Sequence, residues 1–123
     1  MTESRAHRLL EDARELVAKS WCHGVDALDV DGFEVDPWDD EAASWSLLGA
    51  VVAVLEREAS DGGELPLADL AAALYVLADL IETDSLVDWN DDPRQTQGNV
   101  VAVLDRAAAA CEDNLAVLEF SLN

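Results

Sequence analysis

Apolar residues recur at helical spacing in four separate segments of this chain, and this periodicity limits the possible folds more than any other feature. In the first segment, for example, Leu9, Ala13 and Leu16 fall on one face of a helix. The segments are separated by residues that break helices. We therefore expect an all-α fold (mostly), a compact bundle of about four helices in a single acidic domain over residues 1–123. The predicted helices are about 3–20, 41–58, 66–82 and 96–120.

The second predicted helix is apolar on nearly every face, which is typical of a helix at the centre of a bundle. Asp36, Asp39 or Asp40 could cap its start, because aspartate accepts hydrogen bonds from the free amides of a first turn. Pro66 suits the first position of the third helix, since proline lacks the amide that would be unpaired there. Residues 83–92 are expected to form a connector.

The last helix has two possible starts. Asp92 could cap it, with Pro93 at the first position and Gln95 closing a capping box. Alternatively, Thr96 caps the helix and Asn99 takes the reciprocal place. Both patterns satisfy the first free amides, so the sequence leaves the two starts open.

The segment between the first two helices is irregular. Residues 28–35 alternate apolar and acidic side chains on either side of Asp31-Gly32. An Asp-Gly pair flanked by alternation is a strong signal for a β-hairpin turn. A lone two-stranded hairpin is only marginally stable in water, so it must lean on the helices. We expect a short β-hairpin-like acidic loop between helices 1 and 2.

The charge of the chain is unevenly placed. It has 27 acidic and 7 basic residues, a formal net charge of −20. Residues 1–19 sum to zero, whereas residues 20–93 hold nineteen acids and a single base, Arg57. Such a surface repels nucleic acid and anionic membranes and attracts basic partners. We therefore expect no direct nucleic-acid binding, no membrane binding and, with no apolar signal segment or bilayer-length run, a cytoplasmic protein.

Candidate metal and catalytic residues are sparse. Placing Gly32 at the sixth position of a calcium loop puts Ala27 at the first position and Trp38 at the twelfth, where oxygen ligands are required. Cys22 and Cys111 lie far apart and are expected to be free, partly buried thiols. We predict no catalytic residue, no metal site and no cofactor. Whether the protein is an enzyme stays open, and the sequence favours that it is not.

Two acidic segments are candidates for an interaction surface. Residues 26–41 contain eight acids and no base, which indicates either a solvated loop or a docking surface for a basic partner. The string at 88–93 either caps the last helix while its tryptophan closes the bundle, or forms a recognition spot. The candidate surface residues are Asp29, Asp31, Glu34, Asp36, Asp39, Asp40, Asp88, Trp89, Asn90 and Asp91.

Several strings occur together and in a fixed order. They are Trp21 with Gly24, then Asp31-Gly32, Trp45 to Ala50, Trp89-Asn90-Asp91 and Val101 to Ala107. In this respect the chain resembles a family of small uncharacterised proteins found in actinobacteria and their phages. Ser46 stands where that family often has cysteine, which argues against thiol chemistry there. The resemblance implies a compact helical domain from a phage or its host, and no assigned activity.

Three functions are consistent with these patterns. The first is a non-catalytic interaction or regulatory module that binds a basic protein surface. The second is a mimic of DNA charge that inhibits a nucleic-acid-binding protein, such as a host defence factor. The third is an enzyme of unrecognised type. The acidity itself is also typical of a high-GC or salt-adapted genome, so the net charge alone does not select among them.

Overall fold

The structure of the protein, a computed structural model, describes the backbone of residues 5–62 and 67–121 and the side chains of residues 5–60 and 67–111. In this part of the chain it is mostly helical, with one small sheet, which confirms the expected fold class. The elements in chain order are α1 Arg5–Lys19, β1 Ala27–Leu28, β2 Ser44–Trp45, α2 Leu47–Gly62, α3 Leu67–Ile81, α4 Leu86–Asp91 and α5 Gln97–Ser121.

Helix α1 lies at the centre of the helical packing, in contact with α2, α3 and α5. Its apolar face is completely covered, as Leu9, Ala13 and Val17 show by having no exposed surface. The central position was expected of α2, and that prediction was wrong. α2 packs mainly on α1 and α4, and part of its apolar surface is covered by β2 and the chain before it instead of by a ring of helices.

The second helix begins at Leu47, six residues later than predicted, because Ser44 and Trp45 belong to a strand. The amide of Trp45 donates to Ser20 O at 3.1 Å, and Trp45 O accepts from the Cys22 amide at 3.2 Å. These partners lie more than twenty residues away in sequence. Local spacing could not reveal them, and it placed Trp45 in the helix.

Ser46 caps α2, instead of any of the three aspartates predicted for that role. Its hydroxyl accepts a hydrogen bond of 3.0 Å from the amide of Gly49, as a serine cap does. Its own amide donates to Asp26 O at 3.0 Å. The backbone of Asp26 therefore lies directly against the first turn of α2. A Cβ atom on Gly49 would be only 2.0 Å from Asp26 O, so this close approach requires glycine.

The sheet is antiparallel, and the predicted acidic turn extends from its side. Leu28 in β1 pairs with Ser44 in β2 and also forms an isolated antiparallel bridge with Glu34. Gly32 has a φ of 87°, a left-handed conformation that favours glycine. The turn at Asp31-Gly32 is thus confirmed. The two arms of this turn are joined by a single β-bridge, whereas β1 pairs with β2 over two residues.

The predicted connector at 83–92 contains a short helix, α4, which sequence reasoning missed. Ser85 caps it, accepting from the amide of Asp88 at 3.2 Å. For the last helix, Thr96 is the cap, since its hydroxyl accepts from the Asn99 amide at 3.1 Å. Asp92 instead closes a turn in front of the helix. Pro66, predicted to start the third helix, lies outside the described residues.

Candidate functional site

Asn90 is the most completely bonded polar side chain of the predicted surface, and it is buried, with 1% of its area exposed. Its Oδ1 accepts from Trp21 Nε1 at 2.8 Å and from the Leu47 amide at 3.0 Å. Its Nδ2 donates to Cys22 O at 3.2 Å and to Asp91 Oδ1 at 3.1 Å. All four hydrogen-bonding positions of the amide are filled within the protein. Asn90 is therefore an internal residue, and its inclusion in an interaction surface was wrong.

These five residues, Trp21, Cys22, Leu47, Asn90 and Asp91, form what we name the Asn90 junction. It joins α4 to the chain after α1 and to the first turn of α2. Asp91 extends it, because its Oδ1 also accepts from the Gly24 amide at 2.8 Å. One interpretation of the string at 88–93 was that it caps the last helix. Its asparagine instead accepts from the first amide of α2, beside the Ser46 cap and forty-three residues back in sequence.

The neighbours of Asn90 divide between the interior and the surface. Trp89 is half-buried and packs against the core, as the prediction that it closes the bundle requires. Its carbonyl accepts from Gln95 Nε2 at 3.1 Å, which joins α4 to the start of α5. Asp88 is exposed. Of the four candidate residues at 88–91, only Asp88 is left fully at the surface.

The second candidate segment, residues 26–41, is held in shape by two of its own carboxylates. Asp29 Oδ1 accepts from the amides of Asp31 and Phe33, each at 2.9 Å. Asp39 Oδ1 accepts from the Glu41 amide at 2.8 Å. Aspartate side chains commonly close turns in this way. These two predicted surface acids therefore have a structural role in addition to any role in binding.

The remaining acids of this segment face solvent beside large apolar side chains. Val30, Phe33 and Trp38 are 83%, 69% and 51% exposed. We name residues 26–41 the acid–aromatic loop. Within the described part of the chain, none of its carboxylates is paired with a basic side chain, because the ion pairs there join other residues. The exposed acids of the predicted surface in this loop are Asp31, Glu34, Asp36, Asp39 and Asp40.

A groove of about 580 Å³ lies between the end of the acid–aromatic loop and the later turns of α2. Its walls include Trp38 and Trp45 from one side and Glu56 and Arg57 from the other. Sequence reasoning did not find this groove. The nearest signal was the spacing of the two tryptophans, which gave no indication that the later turns of the helix following Trp45 would face Trp38.

The two thiols are poorly suited to nucleophilic chemistry. Burial, followed by the nearby charges of Asp26 and Asp91, raises the pKa of Cys22 to about 11. Burial also raises the pKa of Cys111. Both thiols are free and protonated at neutral pH, whereas the thiolate is the reactive form.

In the described residues, no three His, Cys, Asp or Glu side chains are grouped to hold a metal ion, and no helix is long and apolar enough to cross a membrane.

Comparison with known families places these features in context. Residues 1–110 match the sequence model of a family of unknown function, DUF6197. The chain belongs to this family. The match to DUF6197 spans both the acid–aromatic loop and the Asn90 junction, together with the first half of α5. No curated protein and no solved structure matches the chain.

Proposed function

We propose that this protein is a non-catalytic interaction or regulatory module that binds a basic protein surface through the acid–aromatic loop. One observation carries the proposal. Three large apolar side chains, Val30, Phe33 and Trp38, are exposed among carboxylates that have no basic partner in the described part of the chain. Aromatic side chains supply much of the energy at protein interfaces, while surrounding charges steer the encounter and select the partner.

The loop is also fixed on its scaffold, which lowers the entropy lost on binding. Trp45 Nε1 donates to Pro37 O at 3.0 Å, so a buried tryptophan of β2 holds the segment next to Trp38. The Val35 amide donates to Ala27 O at 3.2 Å and ties the middle of the loop to β1. A surface anchored in this way can present its acids and aromatic rings in one arrangement.

The test is a pull-down from the native host with three versions of the full chain as bait. The second bait carries Asp31→Asn, Glu34→Gln and Asp36→Asn, three exposed acids of the loop. The third bait is a matched control with the same change of charge outside the loop, at and just after the end of α3. It carries Asp79→Asn, Glu82→Gln and Asp84→Asn.

We expect a protein with a basic surface to be captured by the wild-type and control baits at low salt. The loop variant should lose it, and high salt should release it, because salt screens contacts between exposed charges. If all three baits capture the same proteins, the acid–aromatic loop is not the binding surface and the proposal is wrong.

The unpaired carboxylates also favour a second candidate, a mimic of DNA charge that inhibits a nucleic-acid-binding protein. Residues 20–93 hold nineteen acids, and a mimic requires that they cluster on one face to approach the charge density of duplex DNA. The proposal that the chain comes from an actinobacterium or its phage would suit such an inhibitor. The same pull-down separates the two. For a mimic, the captured protein binds duplex DNA, and added DNA displaces it from the bait.

A further inference from the structure

The groove beside the acid–aromatic loop combines an aromatic surface with an acidic rim. Trp38 is half exposed at its edge, while Trp45 is 7% exposed and forms part of its wall. Asp39, Asp40 and Glu56 also line it. Its volume of about 580 Å³ exceeds that of any single side chain and lies within the range of ligand pockets.

The walls of this groove are held by contacts on both sides. The Asp39 amide donates to Asp36 O at 3.0 Å, and the Ala42 amide donates to Asp39 O at 3.0 Å, so the chain around Trp38 follows two successive turns. The indole of Trp45 donates to the carbonyl of Pro37, the residue before Trp38. The opposite wall is a regular part of α2. The groove therefore exists before any partner binds.

The chemistry of the groove selects a cation. A guanidinium group stacks on tryptophan faces and forms paired hydrogen bonds with carboxylates, whereas a lysine ammonium is a strongly hydrated point charge. Three carboxylates against one guanidinium, that of Arg57, leave the lining negative. Arg57 has no ion-pair partner in the described part of the chain and should repel an incoming cation.

We propose that this groove binds an arginine side chain from an extended, basic segment of the partner protein, with the guanidinium stacked on Trp38 and paired with Asp40 or Glu56. The inference rests on the proposed function, because it assigns the partner's contact within the same interaction surface. It goes further in naming arginine over lysine, and in assigning the stacking contact to Trp38 and the ion pair to a carboxylate of the groove.

The probe is a fluorescently labelled peptide of alternating arginine and glycine, titrated with the full chain at low ionic strength and followed by anisotropy. Two matched peptides replace arginine with lysine or with citrulline, which is planar but uncharged. We expect the arginine peptide to bind several-fold more tightly than the lysine peptide and the citrulline peptide not to bind.

Substitutions in the groove test the proposed contacts. Trp38→Ala should weaken binding of the arginine peptide about tenfold, and Trp38→Phe less, since phenylalanine keeps an aromatic face. Asp40→Asn with Glu56→Gln should also weaken it, whereas the matched pair Asp79→Asn with Glu82→Gln should not. Arg57→Gln should strengthen binding by removing a like charge. Circular dichroism and thermal melting confirm that each variant is folded.

The outcomes separate the two proposals. If the wild type binds the arginine peptide and the groove variants bind it equally well, while the loop variant Asp31→Asn, Glu34→Gln, Asp36→Asn loses it, the groove inference fails and the interaction module stands. If the wild type binds neither charged peptide, the groove inference fails, and the pull-down alone decides the interaction module. If sedimentation shows a dimer that Trp38→Ala dissociates, the groove holds a second copy of the chain, and the inference is overturned.

Discussion

At the scale of single residues, the side chain of Asn90 forms more hydrogen bonds within the protein than any acid of the predicted surface. We expect Asn90→Ala to lower the free energy of unfolding by about 3 kcal/mol, because it leaves the part-buried Trp21 Nε1 and the buried Leu47 amide without an acceptor. Urea denaturation measures the change. The control is Asn99→Ala, which removes an exposed side chain and should change stability by less than about 0.5 kcal/mol. Equal effects of the two substitutions would contradict an internal role for Asn90.

A second residue, Asp92, should report its ion pair directly. Hydrogen bonds from the Arg94 side chain, and then from its amide, lower the pKa of Asp92 from 3.8 to about 2. Because the folded pKa is depressed, this contact stabilises the fold above pH 4 and is lost as the pH falls through about 2.

A carboxyl chemical-shift titration by NMR checks this value. Arg94→Gln should return the pKa of Asp92 towards 3.8, because it removes the side-chain donors. Arg106→Gln, which removes an exposed arginine of α5, should leave the pKa of Asp92 low. An Asp92 pKa near 3.8 in the wild type would show that the contact is absent in solution.

At the scale of the elements, two helical glycines have opposite requirements. Gly49→Ala in α2 should destabilise the protein by about 1–3 kcal/mol, because the new methyl group would meet Asp26 O at 2.0 Å. Gly98→Ala in α5 should stabilise it by up to about 1 kcal/mol, since the nearest atom is 3.9 Å away and alanine favours helix. Thermal melts of the pair provide the measurement. A Gly49→Ala variant as stable as the wild type would mean that the backbone of Asp26 does not lie against α2.

The elements also show which features were accessible from sequence. The helices away from the loop were predictable because their stabilising pattern is local, as was the turn at Asp31-Gly32. α4 carries a local signal that was overlooked, a serine at 85 followed three residues later by an aspartate. The strand position of Trp45 and the burial of Asn90 have no such signal. Both depend on partners more than twenty residues away, which only the folded chain brings together.

At the scale of the whole molecule, the net charge of −20 opposes compaction. We expect the melting temperature to rise between dilute buffer and moderate salt, because screening reduces repulsion among the exposed carboxylates. The variant Asp31→Asn, Glu34→Gln, Asp36→Asn should show a smaller rise. Calorimetry in a series of sodium chloride concentrations measures both. A wild-type melting temperature that is flat or falls with salt would contradict the expectation.

The Asn90 junction also constrains the order in which the protein can fold during its synthesis. α1 is synthesised well before Asn90. Yet it is the side chain of Asn90 that bonds the segment after α1 and accepts from the first amide of α2. α1 is fully covered only when α5, its principal neighbour, has been synthesised after α2 and α3. Until then, the part of its apolar face that α5 covers is accessible to chaperones. The hydrogen bonds that anchor the acid–aromatic loop, by contrast, join residues between 26 and 46, so they can form long before Asn90 is synthesised.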